Sequence, residues 1–350
     1  MKKYYTKACN FYYGNKSLKK VESKSAFPLC NNNFISFDTL EIITRNSKKK
    51  IHIKDINLQS KKLKEKIKKD LNLITKKRYF KKLSFSNIPI TMGVINLTPD
   101  SFSDGGKYNK KNKSFEYAKN LISKGCVILD IGGESTRPKS CEVKENVEWK
   151  RIKPTLKKIK KFKHFISLDT KKSQIMEKGI KYKVNLINDV SGLSHDFNTI
   201  NILKKTNIPF VINHMQGNPK NMQNNPKYKN VLLDIYDFFE SKINQIRSKG
   251  IKHNNIILDP GIGFGKNLKH NIILIRNISL FHSLGFPIML GLSRKRFIKD
   301  LSGNNDSKER LGGTISSGLY AMMQGVQIMR VHNINEVNQS IKIFKTLNFK

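Results

Sequence analysis

Arg330 and His332 stand two residues apart at the end of a short apolar run, so on an extended strand both side chains leave the same face. A guanidinium and an imidazole side by side form a donor pair suited to an anion such as phosphate or pyrophosphate. Ser293-Arg-Lys-Arg296 adds cations upstream. Asp169, Asn188 and Asp259, each also closing an apolar run, offer two carboxylates and an amide. A planar heterocycle with several N–H groups would be matched by such a set, and the carboxylates would favour a cation developing on that ring. Together these residues suggest displacement of an anionic leaving group from a carbon that bears a heterocycle. Such a site needs positioning and anion neutralisation, with Mg2+ as the expected cofactor, and no protein nucleophile.

Other chemistries fit less well. Two carboxylates could serve a glycosidase, but the surroundings are strongly basic and the aromatic platform expected for a sugar is thin. Asp259-Pro-Gly-Ile-Gly-Phe-Gly-Lys266 is glycine-rich without being a phosphate loop. Pro260 stands where a Walker A motif has its first glycine, Asn267 replaces the Ser/Thr, and Lys266 takes the last glycine position of G-x-G-x-x-G. The glycines are read as allowing a tight turn and close ligand approach. No cluster has zinc spacing and no G-x-S-x-G elbow is present.

The elements that must carry these residues follow from the rhythm of the chain. Short apolar runs occur at 90–95, 127–132, 165–169, 184–189, 209–214, 256–259, 287–292 and 327–332. Segments of helical pattern follow at 114–124, 147–162, 171–181, 198–204, 231–249, 269–284, 309–324 and 335–347. Continuous apolar runs read as buried parallel strands. Eight βα units in about 250 residues predict a (β/α)8 barrel, an α/β fold, better than an open doubly wound sheet. Asn96, Asp130, Asp169, Asn188, His214, Asp259, Lys295, Arg330 and His332 then fall at strand ends. In a barrel those ends open onto one face, where active sites are built. Residues 1–89 read as an N-terminal extension of unknown role and 90–350 as the barrel. Within the extension, 35–44 alternates like a strand and 58–77 carries leucine and isoleucine at helical spacing.

Composition bounds the partners. The net charge is +41, but only ten of the 67 basic residues are arginine, and the lysines lie on almost every helix and loop. A dedicated nucleic-acid surface would more often cluster arginine with aromatics, so the charge is read as solvated lysine and no specific nucleic-acid partner is expected. Cys9, Cys30, Cys126 and Cys141 show no CxxC spacing, which suits reduced thiols. The N-terminus leads into no apolar signal region, and no run approaches the ~20 apolar residues of a membrane span. A soluble cytoplasmic protein without a membrane partner is expected.

At this point the chain resembles the dihydropteroate synthase family of pterin-binding barrels. The resemblance runs from about Ile90 to the C-terminus. It rests on Asn96-Leu-Thr-Pro-Asp-Ser-Phe-Ser-Asp-Gly-Gly106, Asp130-Ile-Gly-Gly-Glu-Ser-Thr-Arg-Pro138, Ser167-Leu-Asp-Thr170, Ile187-Asn-Asp-Val-Ser-Gly192, the glycine-rich 259–266, Ser293-Arg-Lys295 and Arg330-Val-His332. It implies that 4-aminobenzoate displaces pyrophosphate from 6-hydroxymethyl-7,8-dihydropterin diphosphate to give 7,8-dihydropteroate in folate biosynthesis. It implies a dissociative path, in which pyrophosphate leaves before the weakly nucleophilic amine attacks, and sensitivity to sulfonamides. By motif, Asp169, Asn188, Asp259 and Lys295 would hold the pterin, Asn96 would ligate Mg2+, and Arg330 with His332 would hold the pyrophosphate. Thr136, Arg137 and Pro138, with Phe264, would form the aminobenzoate site. The loops after strands one and two would close over the diphosphate, and the protein would be a homodimer joined through its helices. Asn333 departs from the family's usual Asp, and an indirect effect is expected. A methyltetrahydrofolate-binding methyltransferase domain would share the barrel and the pterin carboxylates, but should lack the Ser-Thr-Arg-Pro loop and the Ser-Arg-Lys. Against an inactive pterin-binding paralogue stand the intact Lys295, Arg330 and His332.

Overall fold

Ahead of the barrel the chain builds a small sheet of its own. In the computed structural model, residues 3–78, 80, 83–98, 113–136 and 140–349 are described. Strands β1 (Tyr5–Tyr13), β2 (Phe27–Leu29) and β4 (Lys48–His52) all pair antiparallel with β3 (Asn32–Ile43). Helices α1 (Gly14–Glu22) and α2 (Lys61–Thr75) complete the extension. Phe37, Leu40, Ile67 and Ile74 are fully buried in its core. Within the lysine-rich 58–77, α2 is an amphipathic helix that buries Ile67, Leu71 and Ile74 and leaves most of its lysines in water, while Leu58 stands exposed before it.

The eight expected strands follow. They are β5 (Ile90–Asn96), β6 (Ile128–Gly132), β7 (Phe165–Asp169), β8 (Leu186–Asp189), β9 (Phe210–Asn213), β10 (Ile256–Asp259), β11 (Met289–Leu290) and β12 (Ile328–Val331). All pair in parallel, in the order β10-β9-β8-β7-β6-β5-β12-β11. A parallel bridge between Leu258 and Ile288 joins the two edges and closes the barrel. The outer layer is α3 (Lys113–Ser123), α4 (Glu145–Ile159), α5 (Ser173–Lys181), α6 (Thr199–Thr206), α7 (Val231–Ser248), α8 (Leu268–Arg276), α9 (Arg296–Ser302), α10 (Leu311–Met323) and α11 (Ile334–Asn348).

Three elements differ from the sequence reading, one being α9, a helix over a segment to which the sequence assigned none. The seventh strand is cut to two residues. The seventh helix, expected over 269–284, ends at Arg276 and continues as a buried 3-10 segment, Ile278–Leu284. That segment is where the extension docks. Ser279 donates to the carbonyl of Ala8 at 3.0 Å, and Arg78 donates to the carbonyl of His282 at 3.0 Å. Tertiary contact has replaced the last turn of an α-helix. On the other side, Arg45 reaches Asp234 and Asp237 of α7 at 2.6 and 2.7 Å.

Strand parity places the site. Ile90, Met92, Ile128, Leu186, Val211, Ile257, Met289 and Ile328 pack into one cluster closed by Phe80. Asp130, Asn188, Asp259 and Arg330 each stand two residues after a member of that cluster. With a period of two they continue the same inward face. An apolar layer therefore fills the barrel and a polar layer rests on it.

Tyr5 and Ile43 of the extension belong to the barrel's own hydrophobic cluster. Phe37→Ala, buried in the extension, should therefore cost about 3–5 kcal/mol and still give one calorimetric transition. An extension that melts separately below the barrel would contradict this shared packing.

Candidate active site

At the C-terminal ends of the strands, Arg330 lies between two carboxylates. Its Nε donates to Asp130 Oδ2 at 2.6 Å and its Nη2 to Asp169 Oδ2 at 2.8 Å. Asn188 Nδ2 donates to the same Asp130 oxygen at 3.1 Å. Asp130 is fully buried and Asp169 is buried. Barrel register explains the meeting: Gly132 pairs with Asp169 and Asp169 with Asn188, so these three residues lie in one row near the ends of β6, β7 and β8. A side chain at Gly132 would press its Cβ to 3.3 Å from that of Asp169. Burial raises the Asp169 carboxyl above the usual range, and Asp130 adds to the rise while Arg330 opposes it. Burial works against the Arg330 charge, but the two carboxylates outweigh it.

Above this floor is a cavity of about 470 Å3, lined among others by Asn96, Thr136, Phe264, Lys295, Arg330 and His332. The Lys295 ammonium sits 4.0 Å from the centre of the Phe264 ring, a cation–π contact. Burial lowers its pKa to about 8, with Asp259 opposing and Arg330 adding to the fall. Burial likewise raises Asp259, against the pull of the Gly261 N–H and nearby Lys295. His332 Nδ1 and Ser293 Oγ are 3.0 Å apart.

The glycine-rich loop is held from beneath. Lys266 is buried and donates to the carbonyls of His214, Gly261 and Phe264 at 3.2, 3.0 and 2.9 Å, with His214 Nδ1 at 3.0 Å. Burial lowers both Lys266 and His214 well below their ordinary values. Lys266 is thus a brace for the turn and His214 its neutral acceptor. Gly261 has φ +68°, and a Cβ there would fall 2.0 Å from the His214 carbonyl oxygen. Gln223 and Tyr228 fix the loop from outside by donating to the carbonyls of Gly263 and Gly265.

Of the residues expected from the sequence, the cavity or its floor brings together Asn96, Thr136, Asp169, Asn188, Asp259, Phe264, Lys295, Arg330 and His332. Arg137 and Pro138, and 99–112 of the first loop, lie outside the described residues. Sequence reasoning left Asp130 out of the site, although its place at a strand end was the available signal. It also missed Arg310, which lines the cavity and donates to the carbonyl of Arg294 at 3.0 Å. Asn333 does not line the cavity. Its Oδ1 accepts from Arg294 Nε and Nη2 at 3.2 and 2.9 Å, the task a carboxylate would perform there. Among the described residues no group of three His, Cys, Asp or Glu could hold a metal. Asn96 lines the cavity and would offer its side-chain oxygen to a cation, which would take further ligands from phosphate and water, as Mg2+ commonly does.

The family described as pterin binding enzyme matches residues 92–332. Dihydropteroate synthase of Escherichia coli is 39% identical over 256 residues, covering 73% of this chain and 90% of that one. The structure of Yersinia pestis dihydropteroate synthase in complex with a sulfonamide drug superposes with a TM-score of 0.72 at 38% identity, covering 76% of this chain and 96% of that one. The structure of Xanthomonas albilineans dihydropteroate synthase with 4-aminobenzoic acid gives 0.70 at 30% identity, covering 76% and 94%.

Asp130→Asn should lower the pH at which the Asp169 carboxyl titrates, because a like charge is removed and Arg330 is left to Asp169 alone. Carboxyl 13C shifts followed across pH read this directly. An unchanged or higher midpoint would contradict the shared-guanidinium arrangement.

Proposed function

Since the chain belongs to the dihydropteroate synthase family of pterin-binding enzymes, we propose how its own residues divide that family's reaction. The enzyme condenses 6-hydroxymethyl-7,8-dihydropterin diphosphate with 4-aminobenzoate, giving 7,8-dihydropteroate and pyrophosphate. The carrying observation is a division of charge about one cavity. Lys295, Arg294, Arg310, Arg330 and His332 line it, and behind Arg330 stand its carboxylate partners Asp130 and Asp169, with Asn188 bonded to Asp130.

In this reading Asp169, Asn188 and Asp259 accept and donate around the pterin ring. Asp259 and Asp169 also favour positive charge as the C–O bond to the diphosphate breaks and the electron pair leaves with pyrophosphate. Lys295 donates to the ring's acceptor side, and Phe264 beneath it gives the arylamine a flat wall. Arg330 keeps Asp130 and Asp169 in place through one committed N–H group to each and turns its remaining edge, with His332, toward the diphosphate. Thr136, and with it Arg137 and Pro138, takes the aminobenzoate. Mg2+ held by Asn96 and by diphosphate oxygens would neutralise the leaving group. The apolar groove of Ile272, Phe297, Leu301 and Tyr320, with Leu301 and Tyr320 exposed, supports a homodimer through the outer helices. No helix among the described residues is long and apolar enough to cross a membrane, in keeping with a cytoplasmic enzyme.

The direct test is pyrophosphate release from the pterin diphosphate with Mg2+, with and without 4-aminobenzoate. Release that depends on aminobenzoate, with dihydropteroate formed and inhibited by a sulfonamide, is the expected outcome. Binding of the pterin without condensation would overturn it. The same assay run against pH should show kcat/KM for the pterin diphosphate falling above about 8, where Lys295 loses its proton. Lys295→Arg should move that limb upward, since arginine stays charged. A limb at the same pH in the variant would assign it to another group.

A further inference from the structure

The turn after β7 holds more than Asp169. Thr170 Oγ1 donates to Glu148 Oε1 of α4 at 2.7 Å. Lys172 Nζ donates to Glu148 Oε2 at 2.6 Å and also to Glu134 Oε2. Lys171 Nζ lies 3.2 Å from Glu134 Oε1 and 3.3 Å from Glu142 Oε1. Glu134 Oε2 in turn accepts from the backbone N–H of Val143 at 3.2 Å. Glu134 and Val143 stand near the two ends of the connection between β6 and α4, the one that carries Thr136. One carboxylate therefore ties the connection end to end, and two consecutive lysines moor it to the strand that bears Asp169. Glu148 and Lys172 are buried, at 1% and 5% exposure. Burial alone would depress the Lys172 ammonium, but Glu134 and Glu148 hold it above its ordinary value. None of Glu134, Glu148, Lys171 and Lys172 lines the cavity, and such charges are costly to bury unless paired.

We propose that Lys172 is a positioning residue for the arylamine: through Glu134 it sets the shape of the connection that carries Thr136, and so the affinity for 4-aminobenzoate and its sulfonamide mimics. The inference rests on the reading above that Thr136 and its neighbours take aminobenzoate. The consequence is a selective one. The pterin floor is joined through the bonds of Arg330 to Asp130 and Asp169, in which neither Glu134 nor Lys172 takes part, so it should survive when the mooring is cut.

The test is steady-state kinetics of the full-length enzyme on both substrates, with the wild type as control. In Lys172→Met the KM for 4-aminobenzoate should rise about tenfold or more, and the inhibition constant of a sulfonamide should rise in step. The KM for the pterin diphosphate should stay within about twofold. Lys172→Arg should restore most of the loss, because it can still bridge both carboxylates. Lys172→Met leaves Glu148 buried without its cation, so Glu134→Gln, which keeps the Lys172–Glu148 pair, is measured beside it and should show the same split. Equal loss for both substrates in Glu134→Gln, or a fall in kcat alone, would overturn the proposal and leave the network a structural one. A wild-type enzyme that turns over with aminobenzoate while Thr136→Val leaves its KM unchanged would instead remove the reading on which the proposal rests.

Discussion

Two buried carboxylates share one guanidinium at the mouth of this barrel, and the site is arranged around that shortage of positive charge. Asp130 and Asp169 both bond Arg330, and neither is exposed enough to be satisfied by water. Taking such charges out of water costs several kcal/mol per ion unless pairing is good. One cation for two anions leaves an unspent appetite for N–H donors in the floor of the cavity. A ring that presents several N–H groups, or that gains positive charge, meets that appetite. The same cluster cross-links β6, β7, β8 and β12 at their ends. Recognition of the ring and the geometry of the barrel mouth therefore have a common cause.

Around this floor the lysines divide by role, although the composition makes them look alike. Lys295 faces the cavity over Phe264. Lys266, at the end of the glycine-rich loop, is turned away and spends its donors on three carbonyls beneath the turn. Lys171 and Lys172 moor the connection after β6. Most of the remaining 53 lysines of the chain are surface charge. The extension is a folded part of the same body. It rests on the 3-10 segment after α8 and on α7, at the side and base of the barrel and away from the cavity.

The barrel and most of the site were legible in the sequence because a parallel strand buried on both faces has a signature of its own. An apolar run that ends in a polar residue states both where the strand stops and which residue stands at the barrel mouth. Asp169, Asn188, Asp259 and Arg330 could be read in that way. What was not legible is pairing across strands. Arg330 reads as an anion clamp when only its neighbour His332 is in view. Its commitment to Asp130, 200 residues away, depends on register that no local pattern encodes. The extension was legible only in part: 35–44 and 58–77 mark β3 and α2, but the strands that pair with β3 are distant or short. Lys266 was read as part of a ligand loop, since nothing in its spacing says that its ammonium points inward.

The most direct measurement is calorimetric titration of Arg330→Met with bare 6-hydroxymethylpterin, which carries no diphosphate. If Arg330 holds the carboxylate floor, the two uncompensated carboxylates rearrange or take up protons, and affinity for the bare pterin falls at least about tenfold. If bare pterin binds the variant as it binds the wild type, and only the diphosphate form is weakened, Arg330 is a clamp for the leaving group and the floor does not depend on it.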